Sequence, residues 1–165
     1  MAQWCSLFGA WGPLCDIRFG SDLMQRAFHL LLVEDNAAHA KLAMMAIRSG
    51  TVPVTVDWVA DGEQALAYLH RHPPHEKHPE VDLILLDLKA PRVDGFETLR
   101  QIKADPELRA IPVVVLSASL NKADMEEAYR NYANSYLVKP LDFDEFQHMI
   151  SDLVTYWGTW NQRHH

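Results

Sequence analysis

Five residues carry the chemistry legible in this chain: Glu34, Asp35, Asp87, Ser117 and Lys139. Each follows a short apolar run. Glu34 and Asp35 follow Phe28–Val33, Asp87 follows Val81–Leu86, Ser117 follows Val113–Leu116, and Lys139 follows Ser135–Val138. Three carboxylates brought to one place repel one another and call for a divalent cation, and an all-oxygen donor set favours magnesium over zinc. Magnesium keeps several waters and binds one or two carboxylates together with a phosphate. A lysine ammonium pairs with a carboxylate or a phosphoryl oxygen, and a serine hydroxyl adds a donor. Such a set suits phosphoryl transfer, which depends on positioning and charge neutralisation. Asp87, between Leu86 and Leu88, is the candidate acceptor, because a carboxylate can take a phosphoryl group as an acyl phosphate. Singly, an acidic residue after an apolar run is most often a helix cap or a solvated loop residue. The joint occurrence carries the argument.

The elements that must position these residues alternate in type. Phe28 to Val33 is a near-continuous apolar run, as expected of a strand buried on both faces. Asn36 opens a helical stretch that stops at Gly50. Val52 to Val59 is β-branched and reads as a second strand, with Pro53 near its start pointing to a sheet edge. Gly62 to His70 is helical, and Val81 to Leu86 is a third strand. Phe96, Leu99 and Ile102 form a helix stripe stopped by Asp105-Pro106. Val113 to Leu116 is a fourth strand, Asn121 caps a helix through Tyr132, Ser135 to Val138 is a fifth strand, and Asp142 opens the last helix. Five strands alternating with five helices predict an α/β fold, with parallel strands joined by right-handed crossovers and helices on both faces. In such sheets the functional edge lies beyond the carboxyl ends of the strands, where all five candidate residues fall.

The segments Leu32-Val-Glu34-Asp35-Asn36, Leu85-Leu-Asp87-Leu, Pro91-Arg-Val-Asp94-Gly95, Val114-Val-Leu-Ser117-Ala118 and Tyr136-Leu-Val-Lys139-Pro140 resemble, in order and spacing, the receiver domain of the two-component response-regulator family. The resemblance covers about Ala27 to Trp157. It implies a flavodoxin-like sheet of five parallel strands in the order 2-1-3-4-5, doubly wound with five helices. It further implies that Asp87 accepts a phosphoryl group from the phosphohistidine of a sensor histidine kinase. Glu34 and Asp35 would bind Mg2+ with Asp87 and the backbone carbonyl of Lys89. Lys139 would contact the phosphoryl group, while Ser117 and Tyr136 would act as switch residues. The output would be a change at the face formed by the fourth helix, fifth strand and fifth helix, with Tyr136 turning inward. Two departures from the family pattern stand out: Ala90 occupies a place where Met or Leu is common, and Lys89 puts a positive side chain next to the acceptor.

Asp142 and Glu145 make a D-x-x-E capping box, with Leu141 and Phe146 placed for a hydrophobic staple. The last helix carries Phe143, Phe146, Ile150, Leu153 and Trp157 on one stripe, widened by Met149, Tyr156 and Trp160. That is more aromatic surface than one buried face needs, so Tyr156, Trp157 and Trp160 either fold back onto the domain or form a partner surface. The stretch Asn134 to Phe146 and the Trp-rich end resemble small regulators that serve phytochromes. That resemblance implies a homodimer through the last helix and a phytochrome as the kinase.

The chain of 165 residues has a net charge of −7. That balance argues against tracking a nucleic-acid backbone and suits cation binding or a basic partner. Cys5 and Cys15 are the only cysteines, which fits a reducing, cytoplasmic setting. No apolar run is long enough for a transmembrane helix. Residues 1–25, broken by glycine and proline, are expected to be a poorly ordered N-terminal extension. Residues 26–157 are expected to form the receiver domain and 158–165 a tail, with no second domain after it. His70, His72, His75 and His78 lie in a Pro-rich stretch and read as a solvated loop before a metal site.

Two other functions are weighed against the regulator reading, in which the chain is not an enzyme. A magnesium-dependent phosphohydrolase working through an aspartyl phosphate usually needs an acidic group two residues past the nucleophile, where this chain has Lys89. A nucleotide or flavin module wants a Gly- or Ser/Thr-rich phosphate loop after the first strand, where this chain has Glu34-Asp35-Asn36.

Overall fold

The computed structural model describes residues 27–72, 78–88 and 95–161. Five strands, β1 (Phe28–Val33), β2 (Val54–Val59), β3 (Leu83–Asp87), β4 (Val113–Ser117) and β5 (Ser135–Val138), alternate with five helices. The helices are α1 (Ala37–Ser49), α2 (Gly62–Leu69), α3 (Gly95–Ala104), α4 (Lys122–Arg130) and α5 (Phe143–Thr155), and α5 runs on into a π-helical turn, Tyr156–Trp160. All pairings are parallel, in the order β2-β1-β3-β4-β5. The expected topology is therefore observed, and β2 takes the edge position that Pro53 indicates.

The apolar runs are continuous because both faces of the sheet are covered. Leu30, Leu32, Leu83, Leu85, Val114 and Leu116 point toward α1 and α5, joining Ala43, Ile47 and Ile150. Their neighbours Leu31, Val33, Ile84, Leu86, Val113 and Val115 point the other way, toward α2, α3 and α4, and meet Leu99, Ile102 and Ala128. Leu30, Leu31 and Leu85 are fully buried. Each such side chain contributes about 2 kcal/mol of apolar transfer, so the strands that carry the acidic residues are the most firmly held part of the molecule.

Helix starts are fixed by side chains. The Asn36 carboxamide oxygen accepts from the N–H groups of Ala38 and His39, Asp61 caps α2, Asn121 caps α4 and Asp142 caps α5 through Glu145 N–H. Each satisfies a donor that the helix itself leaves open. α4 stops at Arg130 rather than Tyr132, because Tyr132 turns to a φ of 62°. The Tyr132 and Ala133 N–H groups then close back on the carbonyls of Tyr129 and Ala128, a Schellman ending.

Three local expectations are corrected. β2 starts at Val54 and β3 at Leu83, each two residues later than the apolar pattern predicts. In β3 the cause is Asp82, whose carboxylate accepts from the His29 N–H at 2.8 Å instead of leaving the chain free to extend the strand. The staple at α5 does not form, since Leu141 is fully exposed.

Candidate functional site

β1, β3, β4 and β5 all end at the same edge of the sheet. Glu34, one residue past β1, extends the ladder by donating its N–H to the Val59 carbonyl at 3.1 Å. Asp87 is the last residue of β3 and Ser117 the last of β4. Lys139 follows β5 and donates its N–H to the Ser117 carbonyl at 2.8 Å. The backbone ladder thus sets the height of each functional side chain.

The side chains converge. Lys139 Nζ donates to Glu34 Oε2 at 2.6 Å and to Asp87 Oδ2 at 2.9 Å. Glu34 Oε1 accepts from the Asn36 N–H at 3.2 Å, with His39 Nδ1 at 3.5 Å. Glu34, Asp87 and Ser117 are buried, and Asp35 is partly so. One oxygen from each of Glu34, Asp35 and Asp87 lies within 4.8 Å of the others. That spacing and donor chemistry fit a hard divalent cation with room for water.

Charge at the site is unbalanced. Burial would push the Lys139 ammonium down, but its bond to Glu34 and the Asp87 charge outweigh that and hold its pKa above the ordinary value. Burial raises the Glu34 carboxyl despite Lys139, and the Asp87 charge raises it further. The two shifts are linked through the Lys139–Glu34 pair, and the Asp87 charge raises both groups.

The two residues expected to form a switch share a partner. Ser117 Oγ accepts from the Ser119 N–H at 3.1 Å, and the Tyr136 hydroxyl donates to the Ser119 carbonyl at 3.0 Å. The Ser117 hydroxyl proton is not used in that contact. Tyr136 already lies inward, 8% exposed, where an inward turn was expected only on activation. Lys89 lies outside the described residues, as do His75, Cys5 and Cys15. Leu88 and Gly95, which border the segment containing Lys89, pack tightly. A Cβ on Gly95 would meet Leu88 Cα at 2.6 Å and the Asp87 carbonyl oxygen at 2.9 Å, so only glycine lets α3 start this close to the end of β3.

Two features escaped sequence reading. Trp58 Nε1, on the edge strand, donates to the Glu34 carbonyl at 2.7 Å. At the opposite end of the sheet, buried His29 bonds Asp57, Tyr68 and the carbonyls of Pro79 and Glu80. His78 joins that cluster through Tyr68 at 3.0 Å, and His70 lies 3.4 Å from Asp105. His72 stacks on His70 with ring centroids 5.6 Å apart, so the described loop histidines divide between two places. A histidine inside an otherwise apolar strand was the one available signal.

An acidic triad and a lysine at the carboxyl edge of a doubly wound parallel sheet define a phosphoryl-receiving signalling module rather than a nucleotide binder. The family model described as response regulator receiver domain matches residues 30–151, and the chain belongs to that family. It is 45% identical to the "Probable methanogenesis regulatory protein FilR2" of Methanothrix harundinacea, covering 82% of this chain and 86% of that one. Among solved structures it is similar to the phosphorylated cyanobacterial phytochrome response regulator RcpA, at 37% identity and a TM-score of 0.78, covering 83% of this chain and 98% of that one. It is likewise similar to the Mn(2+)-bound form of response regulator Rcp1, at 33% identity and a TM-score of 0.77, covering 84% and 99%.

Proposed function

We propose that Asp87 is the residue of this response regulator that takes up a phosphoryl group from a sensor histidine kinase, with Mg2+ held by Glu34, Asp35 and Asp87. The observation that carries the reading is the Lys139 ammonium bridging Glu34 and Asp87 at 2.6 and 2.9 Å. That bridge leaves a cation beside Asp87, among the described residues the one carboxylate that ends a central strand. An Asp87 carboxylate oxygen attacks the phosphorus of the donor, the bond from phosphorus to the donor nitrogen breaks with its electron pair returning to that nitrogen, and the imidazole, already protonated on its other nitrogen, leaves as the neutral ring. Bound Mg2+ supplies charge neutralisation on the phosphoryl oxygens. Lys139 would then move from carboxylate to phosphoryl oxygen, and the Ser117 hydroxyl proton would turn to another.

The backbone carbonyl of Lys89 would complete the set of groups that hold the cation. Asp87 becomes a dianionic acyl phosphate, and Ser117 drags on Ser119, to which Tyr136 is bonded. The phosphate favours the state in which those contacts are best. The signal leaves through the face of α4, β5 and α5. The receiver unit is residues 26–157, and the product is a signalling state rather than a released compound, in the cytoplasm.

Among the described residues no helix is long and apolar enough to cross a membrane. The finer proposal on partners is a phytochrome-class kinase, supported by the likeness to RcpA, and a homodimer through the last helix. For the dimer the support is Tyr156 and Trp160, both exposed, while Trp157 packs back against the core.

Incubation with acetyl phosphate and Mg2+, followed by intact mass, tests the reading. The parent is expected to gain one phosphoryl group and Asp87→Asn none. Equal labelling of both would reject Asp87. Light scattering on the parent and on Trp160→Ala tests the dimer.

A further inference from the structure

We propose that Trp58 is a positioning residue for the divalent-cation site: its indole N–H, reaching in from the edge strand, fixes the peptide that joins Glu34 to Asp35. The inference rests on the functional reading above and goes beyond it, since the ligands alone do not explain what aims them.

Trp58 pairs with Leu32 across the β1–β2 ladder, so its indole can reach the chain just past the end of β1. Nε1 donates to the Glu34 carbonyl oxygen at 2.7 Å, a short bond for a neutral donor. The Glu34 N–H is held on the Val59 carbonyl at 3.1 Å. Adjacent residues of β2 therefore clamp both backbone groups of Glu34. Because a peptide unit is planar, holding its carbonyl oxygen fixes the rotation about the bonds on either side of that plane. Those bonds set ψ of Glu34 and φ of Asp35. They decide where both carboxylates point relative to Asp87.

The two acids differ in how much else holds them. The Glu34 carboxylate is bonded to Lys139 and to the Asn36 N–H. Among the described residues the Asp35 carboxylate has no such bond, so its direction depends most on the peptide that Trp58 holds. Packing does not explain the indole. Trp58 is 39% exposed and belongs to neither core cluster. Without the indole, the Glu34 carbonyl would turn to water at the open sheet edge, and Asp35 would sample directions away from the cation.

The test compares the full chain with Trp58→Phe and with the chain carrying 3-benzothienylalanine at position 58, a shape match for tryptophan that lacks the N–H. Mg2+ and Mn2+ affinities are measured by calorimetry after treatment with chelator, and urea midpoints are measured without metal. Both changes are expected to weaken cation binding roughly threefold to tenfold, the loss of one hydrogen bond. The sulfur analogue should lower the metal-free urea midpoint no more than phenylalanine does, since it keeps the packing of the indole. If both variants bind cation as the parent does, the inference is overturned while the functional reading stands. Weakening by phenylalanine but not by the sulfur analogue would also overturn it, by making packing the cause. A parent that binds neither ion overturns both this and the functional reading.

Discussion

Lys139 Nζ lies 2.9 Å from Asp87 Oδ2, although the two residues are 52 positions apart in the chain. The parallel ladder puts them there. β5 delivers Lys139 beside β4, and β4 lies beside β3, which ends in Asp87. The same ammonium reaches Glu34, so it ties the first, third and fifth strands together at their carboxyl ends.

Removing that tie should be costly. Lys139→Met takes the bridging ammonium away from two buried carboxylates, with exposures of 4% and 9%. Breaking one partner of a buried pair costs about 3 kcal/mol. Urea unfolding without metal should show a loss of this order in Lys139→Met, and Mg2+ should recover part of it by binding the folded chain. An unchanged midpoint would mean that the bridge is not populated in solution.

Gly95 offers a steric test of how closely α3 abuts Asp87. The clash of an added Cβ is with backbone atoms of Leu88 and Asp87, which cannot rotate aside. Gly95→Ala should destabilise by roughly 2 kcal/mol, the range for overpacking, and should slow labelling by acetyl phosphate more than Gly158→Ala does. At Gly158 the nearest atom is the Val52 Cγ1 side-chain methyl at 2.9 Å.

The cluster at the far pole gives the pH dependence. Burial pushes the Asp57 carboxyl up, but hydrogen bonds from Tyr68 and His29 prevail and hold it below its ordinary value of 3.8. A carboxyl lowered by folding contributes stability that is complete above 3.8 and disappears as pH falls through the lower folded value. Asp57→Asn should therefore flatten the acid limb of stability, read as urea midpoints from about pH 5 to about pH 3. Tyr68→Phe removes the donor 2.6 Å from Asp57 and should cost about 2 kcal/mol at neutral pH, the range for a bond to a charged group.

The sequence was most readable where one physical cause dominates. Continuous apolar runs can be accommodated only by strands covered on both faces, so the sheet and the residues at its carboxyl edge were legible from Phe28 to Lys139. Asn36, Asn121 and Asp142 marked helix starts because a cap needs a short polar side chain. Strand starts were less legible. Val81 and Val52 look like strand residues, but Asp82 is diverted to the His29 N–H, a partner 53 positions away that no local pattern reveals. Tyr68 went unnoticed as a core residue because its hydroxyl is satisfied by Asp57 and His78, two partners distant in sequence. Trp58 looked like an ordinary strand aromatic, since its function lies in one N–H and the carbonyl it meets. The staple at Leu141 failed because chain geometry before α5, rather than residue type, decides whether that side chain reaches Phe146.

The position of the phosphoryl group decides what Asp87 does. Borohydride reduces an acyl phosphate to an alcohol and leaves a free carboxylate untouched, so trapping after incubation with acetyl phosphate and Mg2+ records the modified residue. Peptide mass spectrometry is expected to find the reduction at Asp87 in the parent, lost when Mg2+ is chelated. Reduction at Glu34 or Asp35, or none at Asp87 in a chain that has gained phosphate, would contradict the account.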